Sequence, residues 1–468
     1  MTSLRERLAA RPATDVLIRG HDGGRAHVAD LLAEEVTGLS PADRVVVSLH
    51  DTGDLARTLV LLDGRVEAML LASYSFAPEV IAALMETAGA TRLVSDRAEL
   101  ADLAPLAPAA IRRPAPAGGA GLPGSGPAGE TGAALPAGVV TQWLMTTSGT
   151  TGIPKIVTHS LASLSRSVRG SRPARPPVWG LLYDMTRFAG MQVGLQALTG
   201  HGTLAAIDRD APLAAQVAAM AAAGVTHLSA TPTLWRRLLM APGLEDLPLA
   251  QATLGGEIAD QAVLDAIRAR FPAARLTHIY ASTEVGVGFA VNDGRAGFPE
   301  SYLSPEAPAG LALRVEEGML WLRPPEGQRT RYLGDQQLEV DAAGYVRSGD
   351  RVEIRPDPAT GAARVFFLGR DSGVVNVGGV KVYPERVEAF LNARPEVSLS
   401  HVAAKSSPIT GNLLVATVVP ADPAADRAAL KRLLMEAAQA ALEREAVPAI
   451  WRFVDRLETN AAGKIVRS

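Results

Sequence analysis

Val139 to Lys155 reads VVTQWLMTTSGTTGIPK, and the character of the chain changes abruptly at Thr146. The first part, Val139 to Met145, is a short apolar run opened by two β-branched valines, which suits a buried strand. The second, Thr146 to Lys155, sets five hydroxyl residues, two glycines and a lysine into ten positions. Backbone N–H groups, hydroxyls and one cation in such a loop can wrap phosphate oxygens. The spacing differs from the standard P-loop, in which lysine directly follows the second glycine; here Ile153 and Pro154 separate Gly152 from Lys155. Read alone, the loop fits a Ser/Thr/Gly surface loop as well as a phosphate cradle.

Working outward, short β-branched runs alternate with Ala/Leu-rich stretches. Arg44 to Leu49 and Arg92 to Ser95 read as strands, and Leu55 to Leu71 and Pro78 to Gly89 as helices. Beyond the loop a helix is expected from Ser160. Strands follow at Thr203 to Ile207 and His227 to Ser229, with helices at Leu213 to Ala223, Thr233 to Met240 and Ala262 to Arg270. Such alternation points to an α/β fold around mostly parallel sheet. Residues 107–138, rich in Ala, Pro and Gly, carry neither period and read as a flexible excursion. From Leu311 the pattern becomes short alternating strands with glycine turns (Leu311 to Glu316, Met319 to Leu322, Leu338 to Val340, Val352 to Arg355), a small β-rich subdomain over about residues 305–369. A last change at Gly369 opens a small α+β domain: helices at Pro384 to Ala393 and Asp426 to Arg444, strands at Leu399 to Ala404 and Leu413 to Val419.

The composition narrows the function. The chain has 468 residues, 47% of them hydrophobic, with net charge −3 and no basic stripe, which argues against a nucleic-acid partner. Without cysteine there is no thiolate metal site or cysteine nucleophile, and the eight histidines lack ligand spacing for zinc. The segment MTSLRERLAA shows no secretory signal, and the longest apolar region, Val66 to Met85, is broken by Glu67, Pro78 and Glu79. A soluble, cytoplasmic chain without membrane contact is the expectation.

Five further motifs follow the loop in order: LGGE (Leu254 to Glu257), YASTE (Tyr280 to Glu284), SGD (Ser348 to Asp350), GRDSGVVNVGGVKVYPERVE (Gly369 to Glu388) and NAAGK (Asn460 to Lys464). With TTSGTTGIPK they resemble the signature set of the adenylate-forming superfamily, which includes acyl- and aryl-CoA synthetases, peptide-synthetase adenylation domains and luciferases. The resemblance covers nearly the whole chain. It implies a large N-terminal domain over 1–369, a hinge at 370–373 and a mobile C-terminal lid over 374–468. It also implies ATP and Mg²⁺, a small-molecule acid as substrate, and CoA or the phosphopantetheine of an acyl carrier protein as acceptor. By the same resemblance Thr146, Thr147, Ser148, Gly149, Thr150, Thr151 and Gly152 cradle phosphates together with Lys155. Gly255, Gly256 and Glu257 border the adenine, with Tyr280, Ala281 and Ser282 beside it. Thr283 hydrogen-bonds a phosphate, Glu284 holds the metal, and Asp350 and Arg370 take the ribose. Lys464 reaches the α-phosphate from the lid, although a lysine so placed would in isolation read as a solvated tail. Gly378, Gly379 and Lys381 would line the path of the thiol arm, their glycines allowing close approach.

The acid pocket is the open part. Asp184, Arg187, Phe188 and Gly190 lie where relatives begin it, joined by Met191, Gln192, Thr231 and the run Val285 to Phe289, which includes Gly286. Asp184 reads as a ligand for a substrate amine, a helix N-cap or a buried structural acid. His159, just after the loop, reads as a packing residue. The sequence departs from the family at Ala281, where relatives often carry glycine, at Ser372, where they carry Asp or Lys, and in a shorter N-terminal region. The small and apolar lining suits a compact aryl or short acyl acid, with amino acids also open. The resemblance leaves two other readings: a diazotase that adenylates nitrite for transfer to an aryl amine, and a degenerate nucleotide-binding homologue.

Overall fold

A computed structural model describes residues 2–103, 111–112, 138–147, 153–168, 172–304, 311–325, 330–334, 338–407, 411–458 and 465. The excursion at 107–138 therefore lies almost wholly outside the described residues, as do Ser148 to Gly152 of the loop and the NAAGK motif with Lys464. The chain forms two compact units, Met1–His227 with Thr330–Gln337, and Leu228–Arg329 with Leu338–Ser468.

In the first unit, Arg92–Ser95, Arg44–Ser48, Ala68–Leu71 and Gln142–Thr146 pair in parallel. Ile156–His159 and Arg331–Tyr332 extend that sheet antiparallel. Helices cross between the strands where their ends are chemically marked. Asp51 caps Thr52–Leu62 by accepting from the Asp54 N–H, and Pro78–Ala88 starts on proline and stops at Gly89, whose φ of 59° suits glycine. Val46, Leu70, Leu84, Leu93 and Leu144 form the core beneath. A second parallel set, Val178–Leu181, Thr203–Ala206 and Val16–Arg19, is closed at one edge by antiparallel Arg25–His27.

One expectation needs correction here. The run Leu55 to Leu71 is not one helix: the helix ends at Leu62, and Ala68–Leu71 is a fully buried strand. Its last residues, a short apolar run, fit either state, and the break lies in Asp63 and Gly64, an Asp-Gly turn signal. Gly64 takes φ 82°, while the buried Asp63 carboxylate accepts from the Leu4 N–H at 2.7 Å and the Trp143 indole at 2.9 Å. The expected helix from Ser160 is a single turn, Leu161–Leu164, capped reciprocally by Ser160 and Ser163.

In the second unit, Gln251–Gly255 runs parallel to Arg275–Ser282, which turns back antiparallel as Gly286–Val291. The β-rich subdomain is a five-stranded antiparallel sheet in the order Phe298–Pro299, Ala363–Arg370, Val346–Pro356, Met319–Arg323, Ala312–Glu316. Of the expected strand at Leu338 to Val340 only a single bridge, Val340 to Val346, is formed. Asp341 starts a tight turn there, accepting from the Tyr345 N–H. The C-terminal region has its own core of Val387, Leu391, Leu414, Leu434 and Trp451. It joins the hairpin Val375–Val377 with Val380–Val382, helices Pro384–Asn392 and Arg427–Ala441, and the strands Val397–Ser407, Gly411–Pro420 and Ile450–Phe453. The α/β class with a separate α+β C-terminal region is thus what the chain adopts. Among the described residues no helix is long and apolar enough to cross a membrane.

His278, in the strand that carries the YASTE motif, is buried with Nε2 at 2.9 Å from the Arg295 carbonyl. Burial pulls its pKa below the ordinary 6.5, partly opposed by that hydrogen bond and by Asp293. The unfolded chain therefore takes up the proton first, and stability falls as pH drops below 6.5 until the folded imidazole also protonates. The denaturation midpoint should fall between about pH 7.5 and pH 5.5, and fall less in His278→Gln, in chemical denaturation followed by circular dichroism. An unchanged slope in the variant would contradict this.

Candidate active site

The two ends of the loop from Thr146 to Lys155 are held by ladder geometry. Thr146 is the last residue of its strand and pairs with Ile156 across the hairpin, and the Thr147 N–H donates to the Lys155 carbonyl at 2.9 Å. Thr146 and Thr147 are buried. Lys155 is exposed, its Nζ 5.1 Å from the centre of the Tyr332 ring, a cation–π contact. Tyr332 reaches it because Arg331–Tyr332 pairs with Ile156–His159, a long-range pairing that no local signal marks. His159 is buried against Phe188, ring centres 5.9 Å apart.

Still in the first unit, Asp184 is 3% exposed and its carboxylate is filled. Oδ1 accepts from the N–H of Thr186 at 2.9 Å and from its hydroxyl at 2.6 Å; Oδ2 accepts from Ser73 at 2.5 Å. Arg209 stands 3.7 Å away. Of the three readings open for Asp184, the geometry is that of a buried structural acid. Arg187 precedes helix Phe188–Thr199 and donates to the Thr146 hydroxyl at 3.2 Å. Phe188, Gly190 and Met191 are buried. Gly190 has a packing reason: a Cβ there would meet the Asp184 carbonyl oxygen at 2.2 Å.

In the second unit, Gly255 ends a strand, Gly256 takes φ 80° and Glu257 accepts from the Thr233 N–H at 3.0 Å. Thr231 is 1% exposed and caps helix Pro232–Leu239 by accepting from the Leu234 N–H. Both side chains thus finish a helix N-terminus that would otherwise leave donors unmet. Ser282 pairs with Gly286, so Thr283, Glu284 and Val285 form the tip of a tight hairpin, locked by the Val285 N–H on the Ser282 hydroxyl and by Gly286 at φ 80°. Ala281 pairs with Val287 just past a bulge at Tyr280. Tyr280 lies between the rings of Phe289 and Phe367, each 5.3 Å away and within 12° of parallel. Its hydroxyl donates to Asp350 Oδ2 at 2.5 Å, and Arg370 Nε meets Asp350 Oδ1 at 2.8 Å. Burial, reinforced by the Asp350 charge, raises the Tyr280 phenol well above its ordinary value, so it stays a donor. Three motifs far apart in sequence, YASTE, SGD and the start of GRDSG, meet at one carboxylate.

After Arg370, Asp371–Gly373 is one 3-10 turn. Asp371 is clamped by Arg347 and Arg351, both at 2.7 Å, which hold its pKa below the ordinary carboxylate value. At the next hairpin Gly378 (φ 59°) and Gly379 (φ 94°) form the tip with open space around them, Asn376 accepts from the Gly379 N–H, and Lys381 is exposed. Among the described residues no three potential ligands gather into a metal site. A Mg²⁺ held by Glu284, phosphate oxygens and water fits that, since this ion commonly uses one or two carboxylates. Sequence reasoning gave Phe289 to the acid pocket, whereas its ring stacks on Tyr280; it missed Phe367 on the other face of that ring, and Ser73, Arg209 and Tyr332, for which no sequence signal exists.

The sequence pattern of AMP-binding enzymes fits residues 28–317, and that of the AMP-binding enzyme C-terminal domain fits residues 386–464. The chain belongs to the AMP-binding enzyme family, the adenylate-forming ligases. This AMP-binding enzyme is similar to a probable non-canonical nonribosomal peptide synthetase of Salinispora arenicola, 30% identical over 322 residues, 62% of this chain and 4% of that protein. It is 27% identical over 484 residues to the p-hydroxybenzoic acid–AMP ligase of Mycobacterium tuberculosis, 97% of this chain and 65% of that protein. The chain thus spans less than two thirds of these relatives' length. The solved structure of o-succinylbenzoate CoA synthetase from Bacillus subtilis, with its acyl-adenylate intermediate, shares the fold at TM-score 0.73 and 17% identity, covering 100% of this chain and 98% of that one.

If Gly190 is a packing residue, Gly190→Ala should lower stability by about 1–3 kcal/mol, because backbone must move. Gly194→Ala should cost less, since its Cβ would meet the flexible end of Met185. Thermal melting of both variants checks this; equal losses would contradict it.

Proposed function

We propose that this enzyme adenylates a small carboxylic acid with ATP and passes the acyl group to a thiol, of CoA or of a carrier protein's phosphopantetheine, in a biosynthetic setting. A carboxylate oxygen attacks the α-phosphorus, the bond to the bridging oxygen breaks, and pyrophosphate leaves behind an acyl-adenylate. The acid needs no general base, being already a nucleophile. What remains for the protein is positioning and charge stabilisation.

The observation that carries this reading is the Asp350 carboxylate gripped by Tyr280 and Arg370. A buried acceptor with two oxygens suits the vicinal hydroxyls of a ribose, and the nucleotide would take over the bond now made by the Tyr280 hydroxyl. Thr146 to Gly152 and Lys155 would hold the phosphates, with Thr283. Gly255, Gly256 and Glu257 would border the base beside Tyr280, Ala281 and Ser282. Magnesium bound at Glu284 would offset the triphosphate charge. Lys464 would act on the α-phosphate during adenylation. The Asp371 clamp favours a hinge at 370–373, and the glycine tip at Gly378 and Gly379, beside Lys381, would admit the thiol arm.

The acid is an aryl or short acyl acid in preference to an amino acid, because Asp184 is already filled by Ser73 and Thr186. Phe188, Gly190, Thr231, Val285 and Gly286 would shape its pocket. The p-hydroxybenzoate specificity of one relative accords with an aryl acid. Pyrophosphate release measured with Mg·ATP over aryl, short acyl and amino acids, with nitrite included, tests the proposal. Release should depend on an aryl or acyl acid and fall at least about 100-fold in Lys464→Ala. Release with nitrite and an aminoaryl acid alone, or a Lys464→Ala enzyme as fast as wild type, would sink it.

A further inference from the structure

Among the described residues Arg187 makes no ion pair within 4 Å. It is half-buried, its Cζ 4.8 Å from the centre of the Phe76 ring, and its single hydrogen bond, among the described residues, is the one to the neutral hydroxyl of Thr146. A guanidinium carries five N–H donors in a fixed fork that matches a carboxylate. The acid nearest in sequence, Asp184, has its oxygens filled by Ser73 and Thr186 and stands 3.7 Å from a different arginine, Arg209. No described carboxylate lies within 4 Å of Arg187, whereas Arg172, Arg209 and Arg236 each pair with an aspartate. Desolvation weighs on it in consequence: burial draws its pKa down, with only the Asp184 charge opposing. A cation taken partly out of water without a partner is costly, and proteins keep such groups where a ligand completes the pair.

We propose that Arg187 receives a second anionic group of the substrate, so that the acid adenylated here is a compact dicarboxylic acid or an equivalent dianion. This rests on the adenylation reading and narrows its substrate class. The reacting carboxylate is the weaker candidate for Arg187 on physical grounds. That carboxylate loses its charge as it becomes the mixed anhydride, and a fixed cation on it would stabilise the starting acid more than the transition state. A second carboxylate keeps its charge throughout, so Arg187 can hold it from binding to release, with the Phe76 face beside the guanidinium packing on the carbon frame.

The experiment compares matched acids, benzoate with the three benzenedicarboxylates and butyrate with succinate, on the full chain. Pyrophosphate release and calorimetric binding without ATP are read for wild type, Arg187→Gln and Arg187→Lys. Wild type should favour a diacid over its monoacid by about tenfold or more in kcat/KM, the worth of one charge-assisted pair. That preference should collapse in Arg187→Gln through KM for the acid, with KM for ATP unmoved, and return in part in Arg187→Lys. Without ligand, Arg187→Gln should melt no lower than wild type, because it removes an unpaired cation; a merely structural arginine would lower the melting temperature. Equal handling of mono- and diacids by wild type, or a variant that changes KM for ATP instead, overturns the proposal. If no acid supports pyrophosphate release yet a diacid binds wild type and not Arg187→Gln, the adenylation reading fails and the Arg187 assignment stands. If no diacid binds, the Arg187 assignment fails.

Discussion

The Asp350 carboxylate sits at the crossing of three segments and fixes their mutual positions. It lies on strand Val346–Pro356 directly across from Arg370, and the cross-strand pairing brings their side chains to 2.8 Å. Tyr280 reaches it from a different sheet, at the bulge where the YASTE strand turns back. A carboxylate this buried must be paired, so the pairing does double duty: it ties the β-rich subdomain to the α/β sheet within this unit, and it fixes where a ribose could dock. Arg370 is also the last residue before the 3-10 turn at Asp371, so the same ion pair marks where the C-terminal region departs.

Much of this was legible in the sequence because each motif is local. Glycine and hydroxyl content at Thr146 to Lys155, the Ser-Gly turn before Asp350 and the Thr-Glu tip after Tyr280 all state their conformation within a few residues. Strand Arg92–Ser95 and helix Pro78–Ala88 were read nearly to the residue, since proline and glycine mark the ends of the helix. The run Leu55 to Leu71 is leucine-rich at both ends and carries an Asp63-Gly64 turn signal between them; the Leu4 and Trp143 partners of Asp63 hold that turn in place. Tyr332 beside Lys155 and Ser73 beside Asp184 likewise depend on pairings across a hundred residues or more.

Asp184 and Arg187 show how the same lack of distant partners bears on function. In sequence the aspartate reads as a ligand for a substrate amine, a helix N-cap or a buried structural acid. In the fold its charge is spent on Ser73, Thr186 and Arg209, while among the described residues the arginine three positions later meets a threonine hydroxyl and the Phe76 ring. Helix Phe188–Thr199 lies close against the Asp184 turn only because residue 190 is glycine. Packing at Gly190 therefore bears on the place of Arg187, three residues earlier in the chain.

A ribose-receiving role for Asp350 is tested most directly by binding of ATP against 2′,3′-dideoxy-ATP. By titration calorimetry with Mg²⁺, the wild-type chain should bind ATP about tenfold or more tighter than the dideoxy analogue, the worth of hydrogen bonds to a charged acceptor. In Asp350→Asn that discrimination should largely vanish. Equal affinity of wild type for the two nucleotides, or full discrimination retained in the variant, would contradict the account.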